Sequence, residues 1–368
     1  MKTERLLSLD VLRGLTVAAM IMMNDMGSGE YIYTPLEHSA WEGLTPTDLI
    51  FPFFMFVMGM SMAFSLGQSP LKYPKLFWKK LLRRTLLLFA FGLFLSWFGL
   101  ICKSSMIESF THLRIPGVLQ RLAVSYFLTT LLVAFIPRIK TLVWITGGIL
   151  LVYWGILIAG HGFELTEHNI IGIVDRAVFG SAHIYQKSHL ADGTPIAFDP
   201  EGLLSTLPCI SHVLIGYFCG RTVKSPLSFD EKWIHLTVTG ISLLFAGYLI
   251  SYGCPIIKRS WTPSYVLVTS GYAYLLLIWL IWLIDLKKKR EWIIPFQAFG
   301  MNPLVIYMAA SFFSIVLNVT EIKSSAFEFF NQLLGFPKVA SLLYGMLYAT
   351  IFGLVACLLY KRRIFIKL

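Results

Sequence analysis

The sequence predicts an all-α polytopic membrane protein: a bundle of about ten transmembrane helices with both termini cytoplasmic, forming one transmembrane domain over residues 1–368. Three observations carry this. The chain is 56% hydrophobic and only 14% charged, where a soluble domain of this length carries about 25% charged residues. Its apolar residues gather in runs of about 20, the length a helix needs to cross the hydrocarbon core. Its lysines and arginines fall between those runs, mostly on alternate loops, as cytoplasmic loops require. The net charge of +11 is dispersed over these loops rather than gathered on one helix, so a nucleic-acid partner is not expected.

Taken in order, the runs lie at about 9–27, 45–67, 84–102, 116–136, 141–160, 202–220, 233–253, 264–285, 294–318 and 340–360. The first carries Asp10 and Arg13 and lacks a small-residue cleavage site, so it is a retained span rather than a signal peptide. The second opens on Thr45-Pro46-Thr47-Asp48, a helix start with a capping threonine, then Pro and Asp in the first turn. The stretch 324–335 is too short to span and reads as an interfacial or re-entrant helix. Alternating the loops puts roughly two thirds of the 31 Lys and Arg on the side of the N-terminus, which makes that side cytoplasmic and leaves the loop between the first two runs outside. The longest loop, 161–201, is then extracytoplasmic. Its length and its aromatic, Gly and His content predict a packed cap over the bundle. No internal repeat is visible. The five cysteines are scattered, which predicts buried thiols rather than a disulfide framework, and no zinc-type spacing occurs, so no metal is expected.

Ionisable groups near a membrane face are costly, about 2.5–3.5 kcal/mol on insertion scales, and are candidates for function. His38 lies in the outer loop and can serve as nucleophile, general base or proton shuttle; the alternative is an interfacial histidine bonded to a carbonyl. Asn24 ends the first run, on a loop long enough to bring it to His38, where an amide can fix a tautomer or donate to an oxyanion; otherwise it is a helix cap. Asp48 caps the second run, or orients His38, or takes a proton from an amine. Asp10 and Arg13 share a helix face, either as a structural pair or with Arg13 against a phosphate. Gln120 and Arg121 lie inside the fourth run, where an arginine must meet an anion or a wet cavity. Asn302 precedes a proline and marks a broken helix. His183 and Glu201, in the long loop, can meet a polar acceptor. No Walker loop, dinucleotide fingerprint or nucleophile elbow is present.

The N-terminal LSLDVLRGLTVAAMIMMN and HSAWEGLTPTDLIFPFFMFVMGMS, followed in order by RIPGVLQRLAVSYF, DRAVFGSAHIY, FDPEGLLSTLPCISHVLIGYFCG, WTPSYVLVTSGY and FGMNPLVIY, resemble the heparan-alpha-glucosaminide N-acetyltransferase family (acyltransferase family 5) over nearly the whole chain. The resemblance implies transfer of acetyl from cytosolic acetyl-CoA, across the lipid bilayer, to the amine of a glucosamine-type sugar outside. It implies that His38 is the active-site histidine and Asn24 an active-site asparagine, and it suggests a homodimer. Arg13, Gln120, Arg121 and Asn302 are then assigned to the acetyl-CoA path, and His183 and Glu201 to the acceptor. The chain is expected to lack the extra N-terminal lumenal domain of the lysosomal enzyme, and its loop from Asn24 to His38 is a few residues longer. Both departures fit a compact form in a bacterial inner membrane. The competing reading is a transporter or flippase of a sugar or lipid-linked sugar, which explains buried polar groups but not an outward histidine with an adjacent asparagine. Transfer of another acyl group, or to a hydroxyl, would use the same residues.

Overall fold

The computed structural model describes residues 6–66, 71, 73–190 and 192–366. They form α1 (Leu7–Asn24), α2 (Ile50–Ser65), α3 (Pro74–Ile101), α4 (Met106–Thr111), α5 (Val118–Phe135), α6 (Ile139–Ala159), α7 (Ile170–Phe179), α8 (Leu207–Lys224), α9 (Phe229–Ile250), α10 (Pro263–Leu280), α11 (Ile294–Met301), α12 (Pro303–Val319), α13 (Ile322–Leu334) and α14 (Pro337–Lys361). One short antiparallel hairpin joins β1 (Ser188–His189) to β2 (Pro195–Ile196). A 3-10 turn (Pro46–Leu49) leads into α2, and a π-helical turn (Ile281–Leu286) prolongs α10.

Every predicted run is helical. Among the described residues, eight helices are long and apolar enough to cross a membrane, and a ninth crossing is possible if α11 and α12, bent by 88° at their junction, form one span. The difference from ten lies in the run 202–220. It becomes α8, an 18-residue helix buried along most of its length, but Ser211, His212, Arg221 and Lys224 reduce its apolarity. The bend falls at Asn302, as predicted. Pro303 opens α12 and has no N–H to continue α11. α3 starts a good two turns before its apolar run, because KLFWKKLLRR continues the helix as an amphipathic stretch. α13 occupies the stretch read as interfacial and buries none of its residues.

The described residues group into two compact units: 6–38, 45–54 and 276–366 in the first, and 39–44 and 55–275 in the second. In the first unit α1 lies directly on α11. A Cβ at Gly14 would meet the backbone carbonyl of Phe296, and one at Gly300 the carbonyl of Asp10, so only glycine permits this approach. Val17, Ile21, Ala298, Phe299, Ile306, Tyr348 and Phe352 pack around it. One end of the unit is tied by polar contacts. The Ser8 amide donates to Asp285 (3.3 Å), and Arg13 donates to the Gly300 carbonyl (3.2 Å). The Asn302 side chain donates to the Ile364 carbonyl (2.8 Å) and accepts from the Ile366 amide (2.9 Å). The start of α1, the end of the π-turn, the helix break and the tail after α14 therefore meet. At the other end the loop after α1 lies over α13 and α14: the Gly27 and Ser28 amides donate to the Ser341 carbonyl and hydroxyl (3.1 and 3.0 Å), and Tyr31 stacks on Phe327.

In the second unit the long loop 161–201 folds into α7, a 3-10 turn and the β1–β2 hairpin. Ile171, Ile196 and Phe198 pack on Tyr153 and Leu157 of α6, so the loop is a structured cap over that helix. Trp41 donates its indole N–H to the Phe163 carbonyl (2.7 Å), and the Arg259 guanidinium lies against the rings of Trp41 and Phe198. The cysteines among the described residues are free thiols.

Candidate active site

The segment 36–48 closes on itself before α2 begins. Thr47 donates its hydroxyl to the Leu36 carbonyl (2.8 Å) and Thr45 donates to the Glu37 carbonyl (2.7 Å). These ties set His38 against Asp48, with Nδ1 2.7 Å from Oδ1. Asp48 is the third residue of the 3-10 turn, where its carboxylate also accepts the Thr45 amide (3.2 Å) as half of a capping box. The cap and the histidine partner are thus one residue using its two oxygens. The Asp48 side chain is fully buried and the His38 side chain 53% exposed. A carboxylate only accepts, so Nδ1 carries the proton in the neutral imidazole, and the ring's other edge carries Nε2. A buried carboxylate behind an imidazole fixes its tautomer and direction and stabilises an imidazolium when one forms.

Asn24 closes α1 and is exposed; among the described residues no hydrogen bond joins it to His38. Its neighbour Asp25, which the sequence reading passed over, is buried and accepts the Ser314 hydroxyl. Burial raises its pKa, against the lowering influence of Ser314 and of the Lys323 charge. Arg13 pairs with Asp10 at 3.5 Å and also donates to the Gly300 carbonyl. Arg13 and Asn302 share the tied end of the first unit.

The second unit holds the other candidates around the segment 199–206. Arg114 clamps Asp199 through Nε (2.8 Å) and Nη2 (2.6 Å) and also pairs with Glu201. Burial alone would lower the Arg114 pKa, but the Asp199 bond and the Glu201 charge outweigh it and raise the value above the ordinary one. Arg121, 2% exposed, donates to the Gly202 carbonyl (3.2 Å) and to Ser205, and lies over the Trp261 ring at 5.1 Å. Among the described residues, its Nε and Nη1, and the Gln120 amide nitrogen, are buried with no hydrogen-bond partner. His183 donates Nδ1–H to the Leu113 carbonyl (2.8 Å), which fastens the cap to the segment before α5. Glu201 and His183 are therefore both engaged by the 113–114 segment.

Asp175, Asp199, Arg114 and Arg259 were not singled out beforehand. The first three lie inside the motifs DRAVFGSAHIY, FDPEGL and RIPGVLQ, and acidic and basic residues in otherwise apolar motifs were the available signal. Asp175 is fully buried; one oxygen accepts the Leu203 amide (2.8 Å), while the other has no hydrogen-bond partner among the described residues and faces Gly202, where a Cβ would collide with it. Burial is the main cause that pushes its pKa up from 3.8 to about 7, with the Asp199 charge adding and the Leu203 amide opposing. The folded state therefore holds this proton more tightly than the unfolded chain. Its contribution is fully present below pH ~4 and is lost as pH rises through ~7, on the order of 2–4 kcal/mol in all. Asp175→Asn is expected to remove this slope. In detergent melts from pH 5 to 8, the variant should gain on the native protein as pH rises; parallel curves would show that Asp175 carries no such proton.

The family model described as heparan-alpha-glucosaminide N-acetyltransferase, catalytic, matches residues 5–239. A Mus musculus protein named heparan-alpha-glucosaminide N-acetyltransferase is 30% identical over 421 residues, covering 99% of this chain and 61% of that protein. The Homo sapiens protein of the same name is 28% identical over 361 residues, covering 84% of this chain and 53% of that protein. The chain thus spans a little over half the length of these relatives.

Proposed function

The chain belongs to the heparan-alpha-glucosaminide N-acetyltransferase family, and we propose that it is an integral membrane N-acetyltransferase that moves acetyl from cytosolic acetyl-CoA to the amine of an extracytoplasmic glucosamine-type sugar. A bacterial inner membrane suits its composition, with the tied, basic end of the first unit cytoplasmic and the His38 loop outside. The observation that carries this reading is the 2.7 Å contact between a half-exposed His38 and a fully buried Asp48. This pairing suits acyl transfer, in which the ring must be held in one tautomer and direction.

In the first route Nε2 of His38 attacks the thioester carbonyl carbon, the C–S bond breaks, and CoA leaves as its thiolate. The imidazole now carries the acetyl group, the sugar amine attacks its carbonyl carbon, and as the C–N bond to the ring breaks the amine proton passes to the freed Nε2. In the second route Nε2 takes a proton from the bound ammonium, the free amine attacks the thioester carbonyl carbon, the C–S bond breaks, and the second amine proton passes to the departing CoA thiolate. Asp48 stabilises the cationic ring in both. Asn24, exposed at the end of α1, is assigned to the developing oxyanion. Arg13, Gln120, Arg121 and Asn302 are assigned to the donor, with the unpartnered Nε and Nη1 of Arg121 as the groups that meet it. His183 and Glu201 are assigned to the acceptor side. The broken α11–α12 pair is a feature that transporters also use, so dependence on acetyl-CoA separates the two readings.

The test uses purified protein and acetyl-labelled acetyl-CoA without acceptor, followed by peptide mapping. Label on the peptide holding His38 is expected if the ring is the nucleophile. Acetyl transfer to added glucosamine with no trapped label would select the direct route. Absence of any acetyl-CoA-dependent chemistry would overturn the proposal.

A further inference from the structure

A cavity of about 400 Å³ opens beside the first three turns of α3, walled by the end of α2, by α3 and by α5. Its charged lining is Lys80, Arg83 and Arg84; Phe77, Leu81 and Tyr126 are among its apolar and aromatic walls. The Arg84 guanidinium lies 4.4 Å from the centre of the Tyr126 ring, which holds that charge at the cavity wall. Among the described residues, no carboxylate lines the cavity. The chain has no Asp or Glu from residue 49 to 107 and, after Glu108, none until Glu164, so all three walls come from acid-free sequence. Three clustered cations over an apolar floor attract an anion that carries hydrocarbon.

Position favours a lipid over a soluble phosphate. Only 11% of the apolar window of α3 is buried, so this helix turns its flank outward. Tyr73 and Trp78, 65% and 38% exposed, sit at its start, where aromatic residues mark interfacial depth. We propose that this cavity is a binding site for the phosphate headgroup of an anionic phospholipid, held by Lys80, Arg83 and Arg84, with the acyl chains against α3. Under the orientation given above it faces the cytoplasmic leaflet, but the site does not depend on the acetyltransferase reading.

Detergent-purified protein would be titrated with phosphatidylglycerol and, separately, with phosphatidylcholine, and retained lipid counted by native mass spectrometry. Phosphatidylglycerol is expected to bind at least about tenfold more tightly. The Lys80→Gln/Arg83→Gln/Arg84→Gln variant should lose about a hundredfold, since each basic residue near a charged headgroup contributes roughly a factor of five. The Lys80→Gln/Arg83→Gln pair, both exposed side chains, covers the case in which loss of Arg84 from Tyr126 unfolds the protein, and should lose about twenty-fivefold. Adenosine 3′,5′-bisphosphate in excess should leave the lipid bound. Equal retention of the two lipids, unchanged affinity in the double variant, or displacement by the soluble bisphosphate would each overturn the proposal, the last by assigning the cavity to a soluble phosphate.

Discussion

His38→Ala is expected to lower acetyl transfer by about 10³-fold or more, with the protein still folded. The ring is half exposed, but its loss leaves the buried Asp48 carboxylate with the Thr45 amide and hydroxyl as donors, so the melting midpoint should fall modestly while the group that accepts acetyl or the amine proton is removed. Asp48→Asn should cost about 10²-fold or more in kcat. An amide can still accept from the Thr45 amide and so keep much of the helix cap, but it can donate to Nδ1 and turn the ring to the wrong tautomer. The pair of variants separates chemistry from folding. Loss of kcat with KM for acetyl-CoA held is the expected pattern, because neither residue is assigned to donor binding. If His38→Ala keeps its transfer rate within about tenfold of the native protein, the proposed mechanism loses its centre.

Arg114→Ala is expected to destabilise the second unit by about 3–5 kcal/mol, measured as the midpoint of thermal or denaturant unfolding in detergent. Asp199 is fully buried and accepts from Arg114, from the Tyr185 amide and from the Glu201 amide (both 2.9 Å). Removing the cation leaves a buried carboxylate with only backbone donors. Adding Asp199→Asn to Arg114→Ala should recover part of the loss, since the amide oxygen can keep one backbone bond without the charge. A cost below about 1 kcal/mol, the usual worth of a surface pair, would mean that solvent reaches the clamp.

Much of the architecture was legible because membrane spans announce themselves by length and apolarity. The broken helix was legible from Asn302-Pro303, and the interfacial α13 from its short, mixed composition. The cap over α6 was legible only as a packed loop. Its hairpin is two residues per strand and its helix, α7, rests on tertiary contacts with Tyr153 and Leu157 that no local pattern encodes. α8 was taken for an ordinary span because its polar residues are spread through an otherwise apolar run. In the candidate site the His38–Asp48 pair followed from a capping signal ten residues after a histidine. The Arg114–Asp199–Glu201 clamp did not, because its carboxylates lie 85 and 87 positions after Arg114. Arg121 was recognised as an arginine that must have an anion or a cavity; the structure gives it carbonyl and hydroxyl partners on the 199–206 segment and leaves two of its nitrogens unpartnered.

The first unit is made from the two ends of the chain, with α1 at one and α11–α14 at the other. During synthesis α1 is made long before α11, and the surface around Gly14 that will lie on Phe296 has no partner until that residue has emerged. The corner at Asn302 is finished later still, because it draws its carbonyl and amide partners from Ile364 and Ile366. Gly27 and Ser28, in the loop that leads to His38, likewise take their partner from Ser341, so this end of the unit can close only after α14 has been made.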